Sequence, residues 1–146
     1  MAPLLVSDHL SEKSVLFFPL ALPKEEIFFK LVCTLVTPDH TVALNSILER
    51  EKVGGTVIDS AVAIPHARLK GPKVIGLAIG VIGETLGDQP RLIFLFLSPK
   101  EDTKNHLLFL SSLSFLFQTE GFAEEILRSV APYEVVQKIR QIEKGI

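Results

Sequence analysis

Lys73-Val-Ile-Gly-Leu-Ala-Ile-Gly-Val-Ile82 and Arg91-Leu-Ile-Phe-Leu-Phe-Leu97 decide the fold. Both are short, nearly unbroken apolar runs, the pattern of strands buried on both faces. The longest charge-free apolar runs, Val74–Gly83 and Leu92–Ser98, have only about half the length a membrane-spanning helix needs. Ser98-Pro99 stops the second run, because proline cannot continue a strand ladder. Upstream, Thr56–Ile64 reads as a third extended segment.

On either side of these segments the period changes to that of a helix. Pro23 suits a first helical turn, and Glu25 and Glu26 suit its positive end. Ile27, Phe28, Leu31, Val32 and Leu35 then recur on one face. Thr37-Pro38-Asp39 repeats the start signal for a second helix with Ala43, Leu44, Ile47 and Leu48 inward. It delivers Arg50-Glu51 at its end and is stopped by Gly54-Gly55. Beyond the strands, Thr103–Gln118 is helical and apolar almost all round, interrupted by Ser111, Ser112 and Ser114, so a central helix packed on several sides is expected. Phe122, Ile126 and Val130 mark another helix. Pro132 opens the last, with Val135, Val136, Ile139 and Ile142 inward and Gly145 at its end. Val15–Phe18 reads as an edge strand or a buried connector. Helices at both ends with apolar strands between them predict an α/β fold, a mixed β-sheet flanked by helices on both faces, with 1–146 as a single domain.

Composition narrows the function. The chain has 146 residues, is 47% hydrophobic and carries a formal net charge of −2. Its basic residues are scattered, which gives no electrostatic footprint for nucleic acid. The N-terminus lacks a basic region followed by a long apolar one, so a cytoplasmic protein without direct membrane insertion is expected. Cys33 is the single cysteine and stands among Leu31, Val32 and Leu35, which predicts a buried thiol and rules out a disulfide within the chain.

Chemistry concentrates between Arg50 and Arg68. His66 directly follows Pro65 and precedes Arg68 by two residues. Proline biases the residue before it toward extended geometry, so Ile64 is expected to end a strand and the imidazole to have a defined direction. An isolated Pro-His pair is more often a surface loop than a reaction centre. His9 and His40 read as surface residues. His106 opens the Thr103–Gln118 helix, whose first turn can reach the ends of neighbouring strands. Alone, it would more often be a helix-start histidine bonded to backbone. The histidines lack the local spacings of a zinc site. No nucleophile elbow, phosphate-binding loop or dinucleotide fingerprint is present. Gly54-Gly55-Thr56 could donate backbone hydrogen bonds to a phosphate, although paired glycines after a helix usually form only a cap. The remaining chemistry is covalent, with a neutral imidazole acting as nucleophile near neutral pH. A phosphoryl group on that ring adds roughly two negative charges, which Arg50, Arg68 and His106 could stabilise.

Arg50-Glu51, Thr56, Ala63-Ile64-Pro65-His66-Ala67-Arg68 and Asn105-His106-Leu107 with Leu110 together resemble the fructose/mannitol-type enzyme IIA domain of the bacterial phosphoenolpyruvate-dependent phosphotransferase system, a family that includes a nitrogen-regulatory paralogue. The resemblance runs from about Pro23 onward. It implies a mixed sheet flanked by helices, His66 as the phosphorylated residue, Arg50 and His106 lining the phosphoryl site, and Glu51 and Thr56 ordering the turn. The family usually has glycines at alternate positions after the threonine, where this chain has Val57, Asp59 and Ala61.

What the resemblance implies is a phosphocarrier needing no metal or organic cofactor. His66 would accept a phosphoryl group from the histidine phosphocarrier protein and pass it to a IIB-domain acceptor for sugar uptake. The alternative is a regulatory protein whose His66 phosphorylation state controls binding to partner proteins. A third reading, unconnected with the family, is a small-molecule enzyme using His66 as general base.

Overall fold

The computed structural model describes residues 4–54, 57–59, 61–84 and 89–145. A 3-10 turn at Val6–His9 leads into β1 (Leu10–Leu20), followed by α1 (Lys24–Val32) and α2 (His40–Val53). Next come β2 (Val57–Asp59), β3 (Val62–Ala63), β4 (His66–Leu69), β5 (Gly76–Glu84) and β6 (Leu92–Pro99). Three helices close the chain, α3 (Thr103–Gln118), α4 (Phe122–Leu127) and α5 (Pro132–Lys144). The sheet runs β1-β5-β6-β3-β2, with β4 also on β6. β1 is parallel to β5, β5 antiparallel to β6, and β3 and β4 both parallel to β6.

Helices cover both faces of this mixed sheet. The pleat sends Val62, Ile64, Leu92, Phe94 and Phe96 toward the face of α3, α4 and α5, and Ala63, Ala67, Ile93, Leu95 and Leu97 toward α1 and α2. β5 and β6 are buried on both faces, as their unbroken apolar runs require. Val15–Phe18 falls in β1, at the edge of the sheet.

The segment Thr56–Ile64 is not one strand. β2 and β3 pair antiparallel, and Ala61 at the turn accepts bonds of 2.9 Å from the N–H groups of both Arg91 and Leu92. β3 and β4 then lie along β6 in a single register, Val62 opposite Leu92 and His66 opposite Phe96, interrupted at Ile64-Pro65. Pro65 has no N–H to give the ladder, but its carbonyl accepts from the Phe96 N–H at 3.1 Å. His66 therefore opens a strand rather than following one into a loop. Gly71 ends this segment at φ 116°, and any Cβ there would lie 2.5 Å from Pro38, so only glycine lets the chain pass the start of α2.

Cys33 is exposed, contrary to the sequence expectation, because Leu31, Val32 and Leu35 take the inward positions around the end of α1. α3 is not central. His106, Phe109, Leu113 and Leu116 face the sheet, while Leu107, Leu108 and Phe115 remain exposed on the outer side. Val130 lies past the end of α4 and is 81% exposed. His9 and His40 are half-buried rather than free at the surface; each ring bonds to a backbone carbonyl, Ile75 and Leu35 respectively.

A group missed by sequence reasoning ties the ends of the chain together. Glu143 on α5 is 9% exposed. Its carboxylate accepts from the Val6 N–H at 2.6 Å, the Ser7 N–H at 3.2 Å and the Ser7 hydroxyl at 2.5 Å. The two N–H groups are orphan donors of the 3-10 turn, and its positive end suits a carboxylate.

Among the described residues, no helix is long and apolar enough to cross a membrane.

Candidate functional site

The break between β3 and β4 places His66 at the margin of the sheet, on the α3 face. Its ring lies flat on Phe96, with centroids 4.9 Å apart and planes 4° from parallel, and is only 8% exposed. Nδ1 is 2.8 Å from the Ile64 carbonyl oxygen. That oxygen can only accept, so Nδ1 carries the hydrogen and the neutral ring keeps its lone pair on Nε2. Stacking and hydrogen bond together fix both the plane of the ring and which nitrogen keeps the lone pair.

β6 ends in Ser98-Pro99, and a short turn leads into α3. Asp102 caps this helix by accepting from the Asn105 N–H at 3.1 Å and from its side-chain amide at 2.7 Å. These two bonds from Asn105 hold the Asp102 carboxyl below its ordinary range. The capped first turn brings His106, 7% exposed, to a centroid distance of 5.6 Å from His66. Its Nδ1 lies 2.6 Å from Ser98 Oγ. Arg68, two residues along β4, donates from Nη2 to the Lys100 carbonyl and to Thr103 Oγ1, both at 2.6 Å. It thus braces the start of α3 against the strand that carries His66.

Arg50 and Glu51 arrive on the last turns of α2. Arg50 is exposed and donates to the Gly54 carbonyl at 3.3 Å, while its positive charge acts on both imidazoles. Glu51 faces Lys24 at 3.6 Å, and its charge acts on His66. Of the residues singled out in the sequence, His66, His106 and Arg68 stand together, with Arg50 and Glu51 coupled to them through charge. Thr56 lies outside the described residues. Phe96, Ser98 and Thr103 were missed. Phe96 and Ser98 could have been found from the two-residue period of β6, which puts both on the His66 face.

Both histidines have their pKa lowered from 6.5. For His66 the main cause is burial, which disfavours the cation. The bond to Ile64 and the Glu51 carboxylate work against that shift, and Arg50 adds to it. For His106 burial again leads, followed by His66, Arg68 and Arg50. The site holds two neutral imidazoles beside guanidinium charge, an arrangement suited to a nitrogen nucleophile receiving an anionic group. Among the described residues, no group of three or more His, Cys, Asp or Glu side chains could hold a metal ion.

Known proteins share this fold. Residues 8–142 match the family model described as "Phosphoenolpyruvate-dependent sugar phosphotransferase system, EIIA 2", and the chain belongs to that family of phosphohistidine carriers. Similar curated proteins include the nitrogen regulatory protein of Escherichia coli (strain K12), 29% identical over 125 residues that span 81% of this chain and 77% of that protein. The fructose-specific EIIA component of Haloferax volcanii is 27% identical over 110 residues, 71% of each chain. Among solved structures, the nitrogen regulatory protein IIA-Ntr from Neisseria meningitidis aligns with a TM-score of 0.82 at 25% identity, covering 92% of this chain and 98% of that one.

Proposed function

We propose that the chain is a regulatory phosphocarrier in which His66 accepts a phosphoryl group on Nε2 and the state of His66 selects the protein partners held. The observation that carries this reading is the Nδ1–H bond to Ile64, which leaves Nε2 as the available nucleophile. The donor is the phosphohistidine of a small carrier protein. His66 Nε2 attacks phosphorus, the N–P bond of the donor breaks, and the donor ring leaves with that electron pair. As the new N–P bond forms, the His66 ring gains positive charge, so the bond to Ile64 strengthens in the transition state. His106, Arg50 and Arg68 are the donors and charges available to the phosphoryl oxygens. The protein's task is positioning and charge stabilisation, as phosphoryl transfer requires.

Two lines of support favour regulation over sugar uptake: likeness to the Escherichia coli nitrogen regulatory protein, and the fit to the Neisseria IIA-Ntr fold over nearly its whole length. The second reading, passage to a cysteine of a IIB domain, has the fructose-specific relative in its favour. Incubation with phosphoenolpyruvate, enzyme I and the small histidine phosphocarrier, followed by mass spectrometry of the intact chain, tests the carrier step. Adding isolated fructose- and mannitol-type IIB domains then separates the readings. The regulatory one predicts that the chain keeps its phosphoryl group; rapid loss to either domain would favour uptake.

A further inference from the structure

We infer that Ser98 is a positioning residue for phosphoryl transfer, holding His106 in the tautomer that presents Nε2–H, rather than a lone pair, to the phosphoryl group on His66. The inference rests on the carrier reading above and adds to it a residue that does not touch the reacting atoms.

Ser98 is completely buried, and its Oγ lies 2.6 Å from His106 Nδ1. Two arrangements share this geometry. Either the serine hydroxyl donates to a bare Nδ1, or a protonated Nδ1 donates to the serine oxygen. Among the described residues, His106 is the sole hydrogen-bond partner of the Ser98 side chain. If His106 donated, the hydrogen of this fully buried serine would be left without an acceptor among the described residues. A stranded buried donor is costly, whereas an unused oxygen lone pair is much more easily tolerated. The serine therefore donates, Nδ1 is the acceptor, and the imidazole hydrogen sits on Nε2.

The consequence falls on the neighbouring ring. With its hydrogen on Nε2, His106 can donate to an anionic phosphoryl oxygen. The opposite tautomer would offer those oxygens a lone pair and oppose them. Ser98 reaches this position because β6 sends every second residue toward α3: Phe96 supports the His66 ring, and Ser98 sets the His106 ring. One strand thus fixes the plane of the nucleophile and the hydrogen of its partner.

The test uses the intact protein with ring nitrogens labelled with ¹⁵N, above pH 7, as wild type, Ser98→Ala and Ser98→Thr. Long-range proton–nitrogen correlation spectra of the unphosphorylated wild type should show a pyridine-type Nδ1 and a pyrrole-type Nε2 for His106. Ser98→Ala should move both nitrogens toward averaged, mixed-tautomer shifts, leave the His66 pattern unchanged, and slow phosphoryl acceptance about fivefold, the worth of one ordinary hydrogen bond. Ser98→Thr keeps the hydroxyl on a residue suited to a strand, and should restore both spectrum and rate. A protonated Nδ1 in the wild type would overturn the inference, as would a Ser98→Ala protein with unaltered His106 shifts or an unaltered rate. The spectra need no phosphoryl donor. A wild type that takes up no phosphoryl group would defeat the carrier reading, and with it the role of Ser98 in transfer, while the tautomer would still be read directly.

Discussion

His66 and His106 face each other across two elements, their ring centroids 5.6 Å apart and their planes tilted by 50°. One ring opens β4 and is pinned through Nδ1 to backbone; the other stands in the first turn of α3 and is pinned through Nδ1 to Ser98. On the proposed reading, each ring is left with its Nε2 for the phosphoryl group. On this account His66 forms the bond and His106 only donates to it.

The two histidine variants should separate accordingly. His66→Ala should accept no phosphoryl group at all, since no other group replaces the nucleophile. His106→Ala should still be phosphorylated, but on the order of a hundredfold more slowly, the usual cost of removing one preorganised donor. His106→Gln, which keeps an N–H donor, should fall between His106→Ala and wild type. Time courses with phosphoenolpyruvate, enzyme I and the histidine phosphocarrier provide the measurement. A well-folded but inert His106→Gln protein would show that the role given to His106 is wrong.

Arg50 acts from an exposed position. A pair of unit charges at 4 Å is worth about 4 kcal/mol at a near-surface dielectric, and solvent reduces the net value to about 1 kcal/mol. Arg50→Ala should slow phosphoryl acceptance about fivefold and leave the urea unfolding midpoint unchanged. The effect should shrink as salt is added, because exposed charge is screened. A salt-independent loss would point to packing rather than charge.

The pH dependence follows from the lowered pKa of both histidines. In the unfolded chain each protonates around 6.5; in the folded protein each protonates only at a lower pH. As the pH falls below 6.5 the unfolded state takes up protons first, so folding loses stability there. The contribution is complete above 6.5 and is lost as the pH falls through the folded values. Urea midpoints measured on both sides of 6.5 should show this slope, and the His66→Ala/His106→Ala double variant should lose part of it. Phosphoryl acceptance should likewise hold its high-pH rate to below 6.5, because the neutral nucleophile persists. An apparent pKa for the rate at or above 6.5 would contradict the buried, neutral site.

Glu143 should matter for stability alone. Glu143→Gln leaves one oxygen for three donors and turns an amide group toward N–H groups that need an acceptor. A loss of about 2–3 kcal/mol in urea unfolding is expected, with no change in phosphoryl acceptance. A midpoint equal to that of wild type would mean that the carboxylate is dispensable.

What could be read from the sequence was whatever follows from local period. The apolar runs of β5 and β6, the start of α1 at Pro23, the Asp39 cap of α2 and the span of α3 all rest on neighbours in sequence. The position of His66 was legible because Pro65 interrupts any strand it enters. β4 itself was not. Four residues holding His66 and Arg68 have no clear alternation of their own, and they become a strand only because β6 offers a partner in the register already set by β3. Cys33 and the outer face of α3 were misjudged for a related reason. Apolar neighbours do not reveal which side of a helix the sheet will occupy, and α3 turns Leu107 and Phe115 outward. Ser98 and Glu143 are polar groups whose partners lie far along the chain or across an element, Glu143 meeting Val6 from the opposite end. No local pattern marks such pairs.

The central claim is that the nucleophile is Nε2 of His66, with Nδ1 kept out of the reaction by its bond to Ile64. Nitrogen–phosphorus coupling in the ¹⁵N-labelled, phosphorylated protein measures this directly. The account predicts a single coupled nitrogen, His66 Nε2, in an adduct that disappears on acid treatment. Coupling to His66 Nδ1, or a phosphoryl group on any other residue, would contradict it.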